Sequence, residues 1–312
     1  MPATRRASAS CSRLDPVGGL ARRPYDGGMA NAGHRSDRLT LWQRSVLRRM
    51  RRASRKSEGE PLTSADWETY YRLMSSRSSR LWMGLFRSLP SSPRCGICGA
   101  PFSGFGSRLV KPLGYRPSRK NPTLCDTCIE ASPPGGMTTE AGVLFADLRG
   151  FTRLSEQSDP EAVSALLRRF YACAERVLFP EAIIDKLIGD EVMALYLPMY
   201  GKFEDAAATM LEHSRELLAQ VGYGSEEGPF VEVGIGLDYG EAFVGNVGER
   251  SLYDFTAIGD VVNVAARLQG EAKGGEIVAS GRVVERLAAP VGERVEVTLK
   301  GKAEPVLAYR VG

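Results

Sequence analysis

Asp147 in FADLRGFT and Asp190 in DKLIGDE stand where apolar runs end or turn. Acids carried to one sheet edge by a strand end and a neighbouring hairpin turn can share divalent cations, with phosphate oxygens completing the shell. The stretch from Leu148 through Phe151 to Thr152 opens the next helix, and its backbone N–H groups suit phosphate oxygens. Taken singly, Asp190 reads as a turn residue and Asp147 as a helix cap. Lys186 lies inside an apolar strand run, four residues before Asp190. Asn263 and Arg267, at i and i+4, share one helix face among Val261, Val262, Val264, Ala265, Ala266 and Leu268. A lone Arg there reads as a snorkelling surface group. An Asn and an Arg together suit a polyanion, the guanidinium spreading over the oxygens of a transferring phosphoryl group.

The cysteines suggest a second chemistry. Cys95 and Cys98 (RCGICG) and Cys125 and Cys128 (LCDTC) form two CxxC pairs separated by 26 residues. That doubled spacing predicts one structural Zn²⁺ per chain in a tetrahedral Cys₄ site. Arg94 and nearby basic residues are expected to help keep the thiolates deprotonated. An iron–sulfur cluster and a redox dithiol are the alternatives. Cys173 beside Ala174 reads as a small buried hydrophobe. Cys11 and His34 fall in the N-terminal tail. His213, on a helix, has no partner in sequence and reads as a surface residue.

The elements that must position these residues alternate from Glu140 onward. Val143–Ala146 reads as a buried strand. Asp159 as N-cap and Pro160 at the first turn open a helix with the stripe Val163, Leu166, Leu167, Phe170 and Val177. Ile183–Ile188 and Val192–Leu197 read as a hairpin through Gly189-Asp190. A helix at 206–221, strands at 231–237 and 242–247, a helix at 260–269 and a strand at 277–279 follow. The order β-α-β-β-α-β predicts an α+β, ferredoxin-like fold, its sheet covered by helices on one face.

Upstream, residues 1–36 read as a disordered basic tail, in which Met29 is an alternative start. Residues 37–90 read as basic amphipathic helices. One carries Leu39, Trp42, Val46, Met50 and Ala53 at helical spacing. A second starts after Thr63, with Asp66 as its capping partner, and runs to Phe86 before Pro90. Residues 91–130 form the Cys₄ module, 131–139 a linker rich in Pro and Gly, and 140–312 the remaining domain.

The net charge of +4 hides a division. Residues 1–136 hold 24 Lys and Arg against 9 Asp and Glu, a net of +15; residues 137–312 hold 17 against 28, a net of −11. No apolar run approaches the ~20 residues of a membrane span, and no signal-peptide stretch follows the N-terminal arginines. The expected location is cytoplasmic, with room for peripheral membrane attachment. The basic helices read first as packing elements with a solvated face, then as a surface for an anionic membrane or a protein partner. Nucleic acid is the weaker reading, because no recognition-helix motif accompanies the charge.

FADLRGFT, DKLIGDEVMALY, GIGLDYGEAFVGNVG and YDFTAIGDVVNVAARL, in this order and at these intervals, resemble the signatures of the class III adenylate/guanylate cyclase catalytic domain. The resemblance covers residues 141–312. It implies that Asp147 and Asp190 hold two Mg²⁺ or Mn²⁺ ions on a nucleoside triphosphate. It implies that Lys186 and Thr256 read the purine, that Asn263 orients the ribose, and that Arg267 stabilises the transition state. It places Asp147, Lys186 and Asp190 on one chain and Asn263 with Arg267 on its partner, hence a homodimer with two shared sites. Lys with Thr resembles the adenylate branch, so ATP is the expected substrate, and cyclic AMP and pyrophosphate the expected products. A guanylate cyclase, or a silent nucleotide-binding regulatory domain, is the alternative; silent members usually lack one of these residues, and none is missing here.

Overall fold

The computed structural model describes residues 41–57, 60, 62–74, 76–89, 93–118, 123–130, 132–179, 181–198, 205–249, 252–289, 291–299 and 304–311. The tail at 1–36, with Cys11 and His34, lies outside the described residues.

The basic segment forms α1 (Leu41–Ala53), α2 (Trp67–Met74) and α3 (Arg77–Ser88). The Thr63/Asp66 capping box appears at the start of the short 3-10 turn that leads into α2. The single long helix expected from Thr63 to Phe86 is two. Ser76 takes an extended backbone conformation, and its hydroxyl accepts from the Ser79 N–H, starting α3 afresh. The cysteine region contributes α4 (Gly104–Val110) and α5 (Asp126–Glu130).

The α+β domain begins earlier than composition suggests. β1 runs from Gly135 to Leu148, so residues 135–139 of the expected linker are strand. Then come α6 (Phe151–Gln157), α7 (Pro160–Leu178), β2 (Ile183–Ile188), β3 (Glu191–Tyr196), α8 (Ala206–Val221) and β4 (Val233–Glu249). The two strands expected at 231–237 and 242–247 are this one strand, paired with β1 continuously from Gly135↔Asn246 to Leu148↔Val233. The glycines serve close approach here, not a turn. A Cβ on Gly245 would lie 2.3 Å from the Gly136 Cα. β5 (Leu252–Ile258), α9 (Asp260–Glu271), β6 (Ile277–Ser280), α10 (Gly281–Val284), β7 (Glu293–Val297) and β8 (Val306–Val311) complete the chain. Sequence reading gave no assignment to the last three.

The sheet order is β2-β3-β1-β4-β6-β8-β7, with β5 paired to β4. Its first four strands are the antiparallel ferredoxin-like arrangement, and β4–β6 is a parallel pair. Alternation along β1 divides the core. Leu144, Ala146 and Leu148 join Phe170, Leu178, Met210 and Leu217 of α7 and α8. Val143 and Phe145 point to the other face, which the sequence reading left uncovered. There they meet Met193, Leu195, Phe255 and, from α9, Val261 and Ala265.

That second face is also where the N-terminal module sits, and the two share one buried cluster. Trp67, Tyr70, Ile97, Leu124 and Ile129 belong to the same buried cluster as Phe145 and Phe255. The Trp67 and Phe255 rings lie 6.4 Å apart, and the Trp67 indole donates to the Pro134 carbonyl at 3.2 Å. Asn246 Nδ2 donates to Ser132 Oγ at 2.6 Å and the Pro133 carbonyl at 3.2 Å. The Thr123 hydroxyl donates to the Ile184 carbonyl at 2.9 Å. Buried amide and hydroxyl groups paired across the join fix its geometry, while the apolar contact supplies most of the attraction.

Candidate active site

β1 ends at Leu148, and the β2–β3 hairpin turns at Gly189-Asp190 one strand away. Asp147 and Asp190 therefore converge. Burial first, and then the facing Asp190 carboxylate, raise the Asp147 carboxyl to about 6, while Arg149 beside it acts in the opposite direction. The Arg149 guanidinium lies 3.1 Å from Asp147 Oδ2. Glu191 is also pushed up, by burial and then by Asp190. Acids crowded so that one resists ionising form a donor set short of positive charge, and divalent cations fit it. Of the backbone groups expected for phosphate, the Arg149 N–H is already committed, donating to the Glu232 carbonyl at 2.8 Å. In the first turn of α6, Phe151 packs partly into the core and Thr152 is exposed.

A second group of side chains lies along β2 and β5. The register of β2 shifts between Ile184 and Lys186, so Asp185 is an extra residue in a bulge. The Thr256 hydroxyl donates to Asp185 Oδ2 at 2.6 Å. Lys186 Nζ lies 2.8 Å from Asp254 and 3.4 Å from Asp185. Burial works against the Lys186 charge, but Asp254 and Asp185 outweigh it and hold the ammonium above its ordinary value. Burial raises the Asp185 carboxyl to about 6 against the pull of Thr256 and Lys186. Lys186 and Thr256 are thus joined through Asp185 within one chain.

Asn263 and Arg267 stand on α9, Asn263 exposed and Arg267 half-buried. The helix lies hard on β4, where a Cβ on Gly236 would come within 2.2 Å of the Gln269 amide nitrogen. Among the described residues no hydrogen bond or ion pair ties either side chain to the two clusters above.

The four cysteines meet. Cys95 Sγ lies 3.8 Å from Cys128 Sγ, and Cys98 Sγ 3.7 Å from Cys125 Sγ. All four sulfurs fall within 4.8 Å of one another. A tetrahedron with Zn–S bonds of about 2.3 Å has sulfur–sulfur edges of about 3.8 Å, whereas a disulfide needs about 2.05 Å. Burial pushes the Cys125 thiol well up, so a cation is needed for all four to coordinate as thiolates. The Cys125 N–H donates to Cys95 Sγ at 3.3 Å. Arg94 does not serve the sulfurs as expected. Its guanidinium donates to the carbonyls of Phe86 at 2.7 Å and of Leu89, fastening the first knuckle to the end of α3.

Cys173 is fully buried as expected. His213 is not a surface residue: its side chain is 12% exposed, and its Nδ1 lies 2.9 Å from the Tyr196 hydroxyl. Asp185, Asp254, Glu191 and Arg149 were missed. The signal for Asp185 was present as a second charge in an apolar strand. Strict alternation puts adjacent residues on opposite faces, however, and the bulge is not written in the residue types.

The sheet thus carries convergent acids at the end of β1 and a Lys–Thr pair joined through Asp185 on β2 and β5. Residues 136–311 match the family described as the adenylate and guanylate cyclase catalytic domain, and the chain belongs to that family. An adenylate cyclase of Anabaena cylindrica is 33% identical over 192 residues, 56% of this chain and 37% of that one. An uncharacterised protein of Mycobacterium tuberculosis is 31% identical over 212 residues, 64% of this chain and 36% of that one. The chain thus spans little more than a third of the length of these relatives. Among solved structures, the guanylyl cyclase Cya2 covers 57% of this chain and 93% of its own, at 29% identity and a TM-score of 0.48. The adenylyl cyclase CyaB from P. aeruginosa covers 56% and 95%, at 28% identity and a TM-score of 0.47. The family's description names both nucleotides, so membership does not decide the base.

Proposed function

We propose that this protein is an adenylate cyclase, a lyase that converts ATP to 3′,5′-cyclic AMP and pyrophosphate at sites shared by two copies of the chain. The observation that carries the choice of base is the bond from Thr256 to Asp185. With its proton committed there, the Thr256 oxygen offers only lone pairs. An adenine amino group can donate to it, while Lys186 donates to the adjacent ring nitrogen. Guanine presents a carbonyl and an N–H at those points and leaves like groups facing each other, a costly mismatch at half-buried positions.

Asp147 and Asp190 would hold two Mg²⁺ or Mn²⁺ ions, which supply positive charge to the ribose 3′-oxygen and to the departing pyrophosphate. Asn263 of the partner copy orients the ribose. Arg267 of that copy meets the charge that develops on the α-phosphoryl group during in-line attack. Leu187 and Ile258 favour a partner copy here. They are 50% and 52% exposed, and each lies within two residues of Lys186 or Thr256. Water-facing hydrophobics beside a substrate site suit burial by a second chain. The Cys₄ cluster holds one structural Zn²⁺.

The test is cyclic-nucleotide production from ATP and from GTP with Mn²⁺, comparing wild type with Asp147→Ala. Wild type should favour ATP and the variant should be inactive. A wild-type preference for GTP would replace the adenylate reading, and no cyclase activity at all would end it.

A further inference from the structure

We infer that the N-terminal module docks on an anionic lipid bilayer through α3, α4 and the turn that follows α4. Eight large hydrophobic side chains are exposed among the described residues, and six of them fall between positions 81 and 113. Leu81 is 76% exposed, Trp82 48% and Leu85 52% on α3; Phe105 is 70% exposed and Leu109 55% on α4; Leu113, in the turn beyond, is 39% exposed. Leu81 and Leu85 are one helical turn apart, as are Phe105 and Leu109. The helices adjoin where Gly106 of α4 lies against Leu89, just past α3.

The same stretch has one sign of charge. Between Glu68 and Asp126 there is no acidic residue, while ten Lys and Arg occur. Arg77, Arg80, Arg87, Arg108 and Lys111 are all exposed beside the apolar side chains. Leucine and aromatic side chains that enter the acyl boundary, with cations at headgroup phosphates, are the chemistry of an interfacial anchor.

Charge and shape select this occupant. The acidic half of the chain already has its contact with the module through the Trp67–Phe255 side, and that contact leaves α3 and α4 facing outward. A second copy would bring two uniformly basic patches together. A nucleic-acid backbone would use the cations but has no counterpart for three leucines at 52–76% exposure. This inference does not depend on which nucleotide the catalytic domain uses.

The test is co-sedimentation of the full chain with vesicles of phosphatidylcholine alone or with about 30 mol % phosphatidylglycerol, with binding to the anionic vesicles expected to be about tenfold tighter and to weaken with salt. Leu81→Asp/Leu85→Asp should lose about tenfold in binding, with thermal unfolding and cyclase activity without lipid unchanged. Phe105→Asp/Leu109→Asp tests the other helix and decides the matter should the first pair unfold. Trp82 fluorescence should shift to shorter wavelength on anionic vesicles, and the shift should vanish in Trp82→Phe. The inference is overturned if wild type ignores anionic vesicles, if a folded pair variant binds as wild type does, if the chain retains DNA but not vesicles, or if the variants only dissociate a self-associated chain.

Discussion

The Thr256 hydroxyl donates to the Asp185 carboxylate at 2.6 Å across the join between β5 and the bulge in β2. The Thr256 oxygen, proposed to face the base, is therefore held as an acceptor while Asp185 is ionised. Replacing Asp185 with Ala frees the Thr256 proton, and the ratio of kcat/KM for ATP over GTP should fall by about tenfold or more. Because burial raises Asp185 to about 6, above the usual carboxylate value, it takes up a proton as pH falls through that point. The wild-type ratio should decline over the same interval, and Thr256→Val should abolish that pH dependence. Initial rates with each nucleotide between pH 5 and pH 8 check both, flanking the titration of this carboxyl.

Asp147 with Asp190, and Arg267, stand on separate clusters with no described contact between them. Asp190→Ala and Arg267→Ala should each be inactive alone. Mixing the two should restore activity to about a quarter of wild type, since half the dimers would carry one intact site of two. An inactive mixture would indicate that each site is built from one chain.

The Cys₄ cluster shares its buried surroundings with the sheet, so metal loss should be felt in the catalytic domain. Elemental analysis should return one zinc per chain. Cys95→Ser should lower the melting temperature of the whole chain by more than about 5 °C in a single transition. Two separate transitions would mean that the regions fold independently.

Trp67 tests the join itself. Its ring is 1% exposed and touches both Tyr70 and Phe255. Trp67→Ala should cost about 3–5 kcal/mol, measured by urea denaturation.

Burial lowers the pKa of His213, and Glu181 only partly offsets this. The sign follows directly. The unfolded chain takes up this proton more readily, so the stability held above the ordinary imidazole value is lost as pH falls below it. His213→Gln should lose less stability than wild type between pH 7 and pH 5.5, the range in which the imidazole charges.

Much of the catalytic half was legible in residue types. The β2–β3 hairpin, α8 and the Asp159-Pro160 helix start follow from period, turn and cap signals. Ordered motifs single out the acids, Lys186, Thr256, Asn263 and Arg267, of which the structure brings Asp147 to Asp190 and Lys186 to Thr256 through Asp185. What escaped depends on contacts between segments distant in sequence. The continuity of β4 through its glycines comes from backbone approach to Gly136, which no local signal announces. Asp185 faces Thr256 only because of a bulge, and Arg94 serves carbonyls made available by the end of α3. His213 is covered by Tyr196, 17 residues before it.

The family boundary at residue 136 cuts through a core. A chain trimmed there would keep every residue assigned to catalysis. It would also lay open Val143, Phe145, Met193, Leu195 and Phe255, which now pack beneath Trp67, Ile97 and Leu124. Such a fragment should be sticky and short-lived in solution, and poor behaviour of the isolated domain would say nothing about its chemistry. The stretch that the family shares is smaller than the buried core to which it belongs in this chain.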